Sequence, residues 1–125
     1  MPPKVVFKGV YPIGDTDTTA LPVKELGPAI GYYTQVLGFS LVSKEGDRAV
    51  LRRDEAQIGL AVNGKDPEQA SCYFDISDVE VLRRELELKG IEPSAIDLTE
   101  HEGRNYRVFF AKEPYGVCFC FGQPA

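Results

Sequence analysis

Two cysteines stand two residues apart in EPYGVCFCFG (residues 113–122), and a third, Cys72, lies far off in the chain. Closely spaced cysteines bind metals, exchange thiols for disulfides, or simply fill a buried strand. The other groups with chemistry to offer are Asp75, in SCYFDIS, and the single histidine His101, in the polar stretch TEHEGRN. Flanked by Glu100 and Glu102, His101 has the makings of a general base near a cavity mouth. The plainer reading of such a histidine is a solvated side chain. An odd number of cysteines and no export signal argue against a disulfide framework.

Whether these groups meet depends on the elements that carry them. Leu26, Ile30, Tyr33 and Leu37 recur at helical spacing, with Pro28 in the first turn and Gly38 as the stop. Val79, Leu82 and Leu86 line a second helix, which Ser77 or Asp78 can cap and Gly90 closes. Each helix is followed by three β-rich runs. In the first half these are FSLVSK (39–44), AVLRR (49–53) and IGLAV (58–62); in the second, SAIDL (94–98), YRVFFAK (106–112) and VCFCF (117–121). Both halves read strand–helix–strand–strand–strand, a tandem repeat of roughly 50 residues. The fold class is therefore α+β, with two tandem βαβββ modules, about 4–64 and 70–123, forming one domain whose curved sheets enclose a cavity.

With 125 residues, 43% of them hydrophobic, the chain can build one good core. Its 14 basic and 19 acidic residues give a net charge of −5 and no basic stripe, which excludes nucleic acid as the expected partner and suits a cationic ligand. No apolar run approaches a membrane span, and MPPKVVFKGV lacks the apolar core of a secretion signal, so the expected location is cytoplasmic.

Three segments carry a resemblance in order and spacing: LPVKELGPAIGYYTQVLGF (21–39), YFDISDVEVLRRELELKGI (73–91) and YRVFFAKEPYGVCFCFGQP (106–124). Through them the chain resembles the glyoxalase/bleomycin-resistance/extradiol dioxygenase superfamily, the vicinal oxygen chelate fold. The family's usual closing turn is Asp-Pro-Asp-Gly; here it is Glu113-Pro114-Tyr115-Gly116. The resemblance implies two βαβββ modules. It also implies a divalent metal held by His, Glu or Gln from the first and fourth strands of each module in the enzymes. Members without metal are similar to drug-binding proteins that act as dimers.

Carried over position by position, the family's ligand places fall on Ser71, Cys120, Ala61 and, in the first strand, either Thr18 or Tyr11, depending on whether GDTDTTA (14–20) is an insertion. One thiol is not a metal site. The expected metal is therefore none, with no cofactor. The face that would surround the metal remains. Alternation along a strand puts Ser71, Tyr73 and Asp75 on one side with Cys118 and Cys120, while Cys72, Phe74 and Ile76 turn toward the helix. Gly59 and Ala61 would leave room in the first module. Tyr73, Tyr106, Phe110 and Tyr115 offer stacking surface, although aromatic residues on strands are more often core. Asp75 reads either as the anchor of a cationic or hydrogen-bonding ligand group, or as a carboxylate solvated or paired with Arg48 or Arg52. The candidate ligand-binding set is Ser71, Tyr73, Asp75, Cys118, Cys120, Tyr106, His101 and Arg52.

The function these residues favour is metal-free capture of a small organic molecule by a homodimer, as in antibiotic sequestration. Two alternatives stand beside it. One is an enzyme of the same superfamily using Cys118, Cys120, Asp75 and His101. The other is a structural or regulatory dimer whose cavity side chains fill.

Overall fold

In β6 (Ser71–Ile76), partly and fully buried residues alternate without a break, so the strand has one face in the core and one outside it. The computed structural model describes residues 5–125; Lys4, the expected start of the first module, lies outside them. The other strands are β1 (Phe7–Pro12), β2 (Leu21–Pro22), β3 (Ser40–Glu45), β4 (Arg48–Arg53), β5 (Ala56–Ala61), β7 (Asp97–His101), β8 (Arg104–Lys112) and β9 (Cys118–Pro124). The helices are α1 (Leu26–Gln35) and α2 (Val79–Leu88).

Two mixed sheets result, ordered β2-β5-β4-β3 and β1-β6-β9-β8-β7. Within each, the strand before the helix pairs in parallel with the last strand of its half: Leu21 with Leu60, and Ser71 with Cys118. The repeated strand–helix–strand–strand–strand order read from the sequence is thus the repeated order of the sheets.

The structure adds a ninth strand. The stretch containing VYPI is β1, which leaves its own half and pairs antiparallel with β6, setting Tyr11 opposite Tyr73 and Gly9 opposite Asp75. The first half opens instead on the two-residue β2. The remaining boundaries move by a few residues, most at SAIDL. There Ser94 already pairs with Phe110 through its backbone N–H and its Oγ, but the continuous ladder begins only at Asp97.

A side-chain cap starts α2 but not α1. Asp78 caps α2, its carboxylate accepting from the N–H groups of Glu80 and Val81 at 3.0 and 3.2 Å. Ser77, the other candidate cap, accepts instead from the Val6 N–H. The helices bury Ala29, Tyr33, Leu82 and Leu86 against one face of the sheets. Between them lies a cluster of phenylalanines centred on Phe74, whose ring is 5.4 Å from those of Phe7, Phe119 and Phe121 and 5.8 Å from that of Phe39. Truncating so enclosed a ring to alanine costs about 3–5 kcal/mol.

On α2, Arg83 pairs with Glu87 one turn on at 3.0 Å, and other charges reach off the helix. Glu85 reaches across to Arg53, at 2.9 and 3.3 Å, and the Arg53 guanidinium lies 4.4 Å above the Phe7 ring. Lys89 donates to the carbonyls of Gln35 and Val36 at the end of α1. A long arginine stem over an aromatic ring satisfies both packing and charge, and the shorter reach of a helix neighbour cannot offer that.

Candidate functional site

The five-stranded sheet turns one face to the helices and leaves the other open. Register places Tyr11 and Gly9 of β1, Ser71, Tyr73 and Asp75 of β6, Cys118, Cys120 and Gly122 of β9, and Tyr106, Val108 and Phe110 of β8 on that open face. Tyr11 is 55% exposed and Phe110 44%. This face therefore carries aromatic surface open to water at two places.

Of the sequence candidates, Ser71, Tyr73, Asp75, Cys118, Cys120 and Tyr106 share this face. Tyr73 lies across Gly122, its hydroxyl only 2.5 Å from where a Cβ on that glycine would stand. The hydroxyl oxygen is buried and bonded to nothing among the described residues. Burial pushes the Tyr73 phenol well above its usual pKa, and Asp75, Cys120, Tyr106 and Tyr11 push it the same way. In the sequence Tyr11 is a candidate metal position and nothing more. Its strand pairing makes it a neighbour of Tyr73, with ring centroids 6.4 Å apart. The signal for it is the two-residue step from Gly9 to Tyr11, which becomes readable once the partner strand is known.

His101 and Arg52 are not part of this group. His101 ends β7, at the far edge of the sheet from β6, and its ring is exposed beside Glu102. Arg52 belongs to the other sheet. Its Nε donates to the Asp54 carbonyl at 2.7 Å and its guanidinium meets Glu55 at 3.6 Å. The pairing of Asp75 with Arg48 or Arg52 is therefore absent, because those arginines stand on β4, which shares no sheet with β6. Tyr115 also leaves the stacking set. It packs against the core from the turn, its hydroxyl 3.4 Å from the Glu25 carbonyl oxygen.

The room expected at Gly59 and Ala61 is occupied by the loop that contains GDTDTTA. The Gly59 N–H donates to the Thr18 carbonyl at 2.9 Å, and the Thr19 carbonyl stands over Gly59 where a side chain would begin. Asn63 Nδ2 ties the same loop down through the Ala20 carbonyl at 3.3 Å. Thr18 thus lies in a turn against β5, and Tyr11 is in the opposite sheet. The two halves of the fold are unequal: a loop covers Gly59 in the first, whereas on the five-stranded sheet Tyr11 and Phe110 reach solvent while Val108 and Cys120 are buried.

The donors at the family's metal positions do not fit a metal. Among the described residues no three of His, Cys, Asp and Glu gather where an ion could sit. Burial, with Cys118 nearby, pushes the Cys120 thiol up to about 11, so it holds its proton at neutral pH. Cys72 is buried on the helix side, its thiol also raised by burial. Two clefts lie elsewhere: one of about 700 Å³ between α2 and β4, flanked by Arg52, Arg84 and Leu88, and one of about 350 Å³ beside Asp15, Asp17 and Asp66.

Comparison with known proteins places this geometry. A family model described as the Glyoxalase/Bleomycin resistance protein/Dioxygenase superfamily matches residues 16–121. No curated protein sequence matches the chain. Among solved structures, the chain is similar to the bleomycin-binding protein of bleomycin-producing Streptomyces verticillus, complexed with copper(II)-bleomycin (17% identity, 85% of this chain and 93% of that one, TM-score 0.69). It is similar to the bleomycin resistance determinant encoded on transposon Tn5 (21% identity, 88% and 98%, TM-score 0.73). An integron cassette protein from the mobile metagenome of the Halifax Harbour sewage outfall aligns as well (20% identity, 89% and 99%, TM-score 0.74). At these identities the likeness is one of fold.

Proposed function

Because the chain belongs to the glyoxalase/bleomycin resistance protein/dioxygenase superfamily, we propose that it captures a small organic molecule, without a metal, on the open face of its five-stranded sheet. The observation that carries this reading is the face itself. Tyr11, Tyr73, Tyr106 and Phe110 share that face with Asp75, in a fold shared with bleomycin-binding proteins. Asp75 anchors a positively charged part of the ligand, and the aromatic side chains cover its planar part.

A second copy of the chain supplies the other wall. All six residues of β3 are exposed, including Leu41 at 45% and Val42 at 57%, and such apolar surface favours a covering partner. The ligand class that fits is a cationic antibiotic of the bleomycin type, sequestered in the cytoplasm. Calorimetry with metal-free bleomycin tests this. Saturable binding that Asp75→Asn weakens supports it, and no heat and no thermal shift at millimolar ligand defeats it.

A further inference from the structure

The loop over the first half of the fold is a strap that runs between β1 and β2, and hydrogen bonds to both sheets hold it. On the five-stranded side, the Ile13 N–H donates to the Ser71 carbonyl at 3.1 Å, and Thr16 Oγ1 accepts from the Ser71 N–H at 2.9 Å. On the other side, the Gly59 N–H donates to the Thr18 carbonyl at 2.9 Å, and Asn63 Nδ2 donates to the Ala20 carbonyl at 3.3 Å. The last of these ties rests on a side-chain amide. That amide is chemically labile, because the next residue is Gly64.

Asn63 and Gly64 are both exposed, in the connection between β5 and β6. The Asn63 side chain is folded back along the chain, its Oδ1 accepting from the Lys65 N–H at 3.1 Å, two residues on. An amide folded back in this way brings its carbon toward the intervening Gly64 nitrogen, the atom that can close a five-membered ring on it. Gly64 has no side chain to obstruct the approach, and nothing lies within 4 Å of where its Cβ would be. Attack at Cγ builds negative charge on Oδ1. The Lys65 N–H is already aimed at that oxygen, which is how a fixed donor stabilises a developing oxyanion. The group expelled is Nδ2, the same atom that ties down Ala20.

We propose that Asn63–Gly64 is a self-modifying site whose conversion loosens the strap on the first-half face. The Gly64 nitrogen bonds to Asn63 Cγ and gives up its proton to solvent. The Cγ–Nδ2 bond breaks, and Nδ2 takes up a proton and leaves as ammonia. Water then opens the succinimide at either carbonyl. The product is aspartate at position 63, or its isomer with the main chain routed through the side-chain carboxyl. No electrons are exchanged with any other group. Either product puts a carboxylate oxygen where an N–H faced the Ala20 carbonyl oxygen, so an attraction becomes a repulsion. Ala20 ends the turn whose Thr19 carbonyl stands over Gly59, so the cover over Gly59 weakens with it. The inference concerns the first half of the fold and does not depend on what binds the five-stranded sheet.

Peptide mapping by mass spectrometry tests the chemistry, with the folded full chain and the free peptide AVNGKDP held side by side at pH 8. Asn63 is expected to convert from amide to acid in the folded chain at least as fast as in the peptide, while Asn105, the other asparagine, stays intact. If the peptide converts and folded Asn63 does not, the hydrogen bonds on both ends of the amide clamp it instead, and the inference falls. Amide hydrogen exchange of Asn63→Asp tests the consequence. The Gly59 N–H, bonded to the Thr18 carbonyl, is expected to exchange at least about fivefold faster than in the parent. The amides of β4 keep their parent rates, which marks the change as local. Gly59 exchange equal to the parent's, or a rise shared by β4, overturns the link between this site and the strap.

Discussion

Replacing Gly59 by alanine should damage this protein far more than the size of a methyl group suggests. The Gly59 backbone lies under the turn formed by residues 17–20. A Cβ there would sit 2.6 Å from the Thr19 carbonyl carbon and 3.1 Å from its Cα, and nearer still to the carbonyl oxygen. The obstacle is backbone, so no rotamer change relieves it, and the turn must retreat by about 1 Å. Overpacking of this kind costs about 1–3 kcal/mol, and losing the Gly59 N–H to Thr18 hydrogen bond adds about 1 kcal/mol. For a chain of this length, a total of about 2–4 kcal/mol lowers the melting temperature by roughly 8–15 °C. Gly31→Ala is the control. It lies within α1 with nothing within 4 Å of its added methyl, so it should stabilise by about 0.5–1 kcal/mol. Calorimetric melting of the two variants is the assay. A Gly59→Ala melting point within about 1 °C of the parent would refute the covered first-half face.

Three further outcomes follow from buried groups and caps. A neutral thiol reagent at pH 8 should label Cys118 rapidly and Cys72 only on unfolding, with Cys120 slow because its pKa stands at about 11; mass spectrometry of labelled peptides reads the order. Glu113 is 3% exposed, with one carboxylate oxygen accepting from the Val117 N–H and the other without a partner among the described residues. Burial raises its pKa in the folded state, against the backbone N–H groups that lower it. Its contribution to stability is therefore present below the ordinary carboxylate pKa and lost as pH rises through the folded value. Glu113→Gln should gain stability relative to the parent between pH 4 and 7, and a constant difference in denaturation midpoints across that range would contradict this. Asp78→Ala removes the α2 cap and should cost about 1 kcal/mol in urea denaturation.

The features legible in the sequence were those set by local periodicity. Leu82 and Leu86 disclosed α2, and the alternation of Cys118, Phe119, Cys120 and Phe121 disclosed which side of β9 faces the core, because both patterns follow from backbone geometry. The pairing of β1 with β6 was hidden, since Phe7 meets Ile76 only through tertiary structure. That pairing is what brings Tyr11 beside Tyr73 and sets Asp75 between two glycines. Gly59 was visible, but its reason was not: it read as room for a ligand, and it is room for the Thr19 carbonyl. Arg52 and Asp75 are opposite charges that sequence alone could bring together, and sheet order keeps them apart.

The central claim is that a small molecule binds the open face of the five-stranded sheet. Its most direct test is a backbone amide titration with metal-free bleomycin. Saturable shifts are expected at Tyr11, Tyr73, Asp75, Cys120 and Gly122. Shifts confined to the cleft around Arg52, Arg84 and Leu88, or none at saturating ligand, would contradict it.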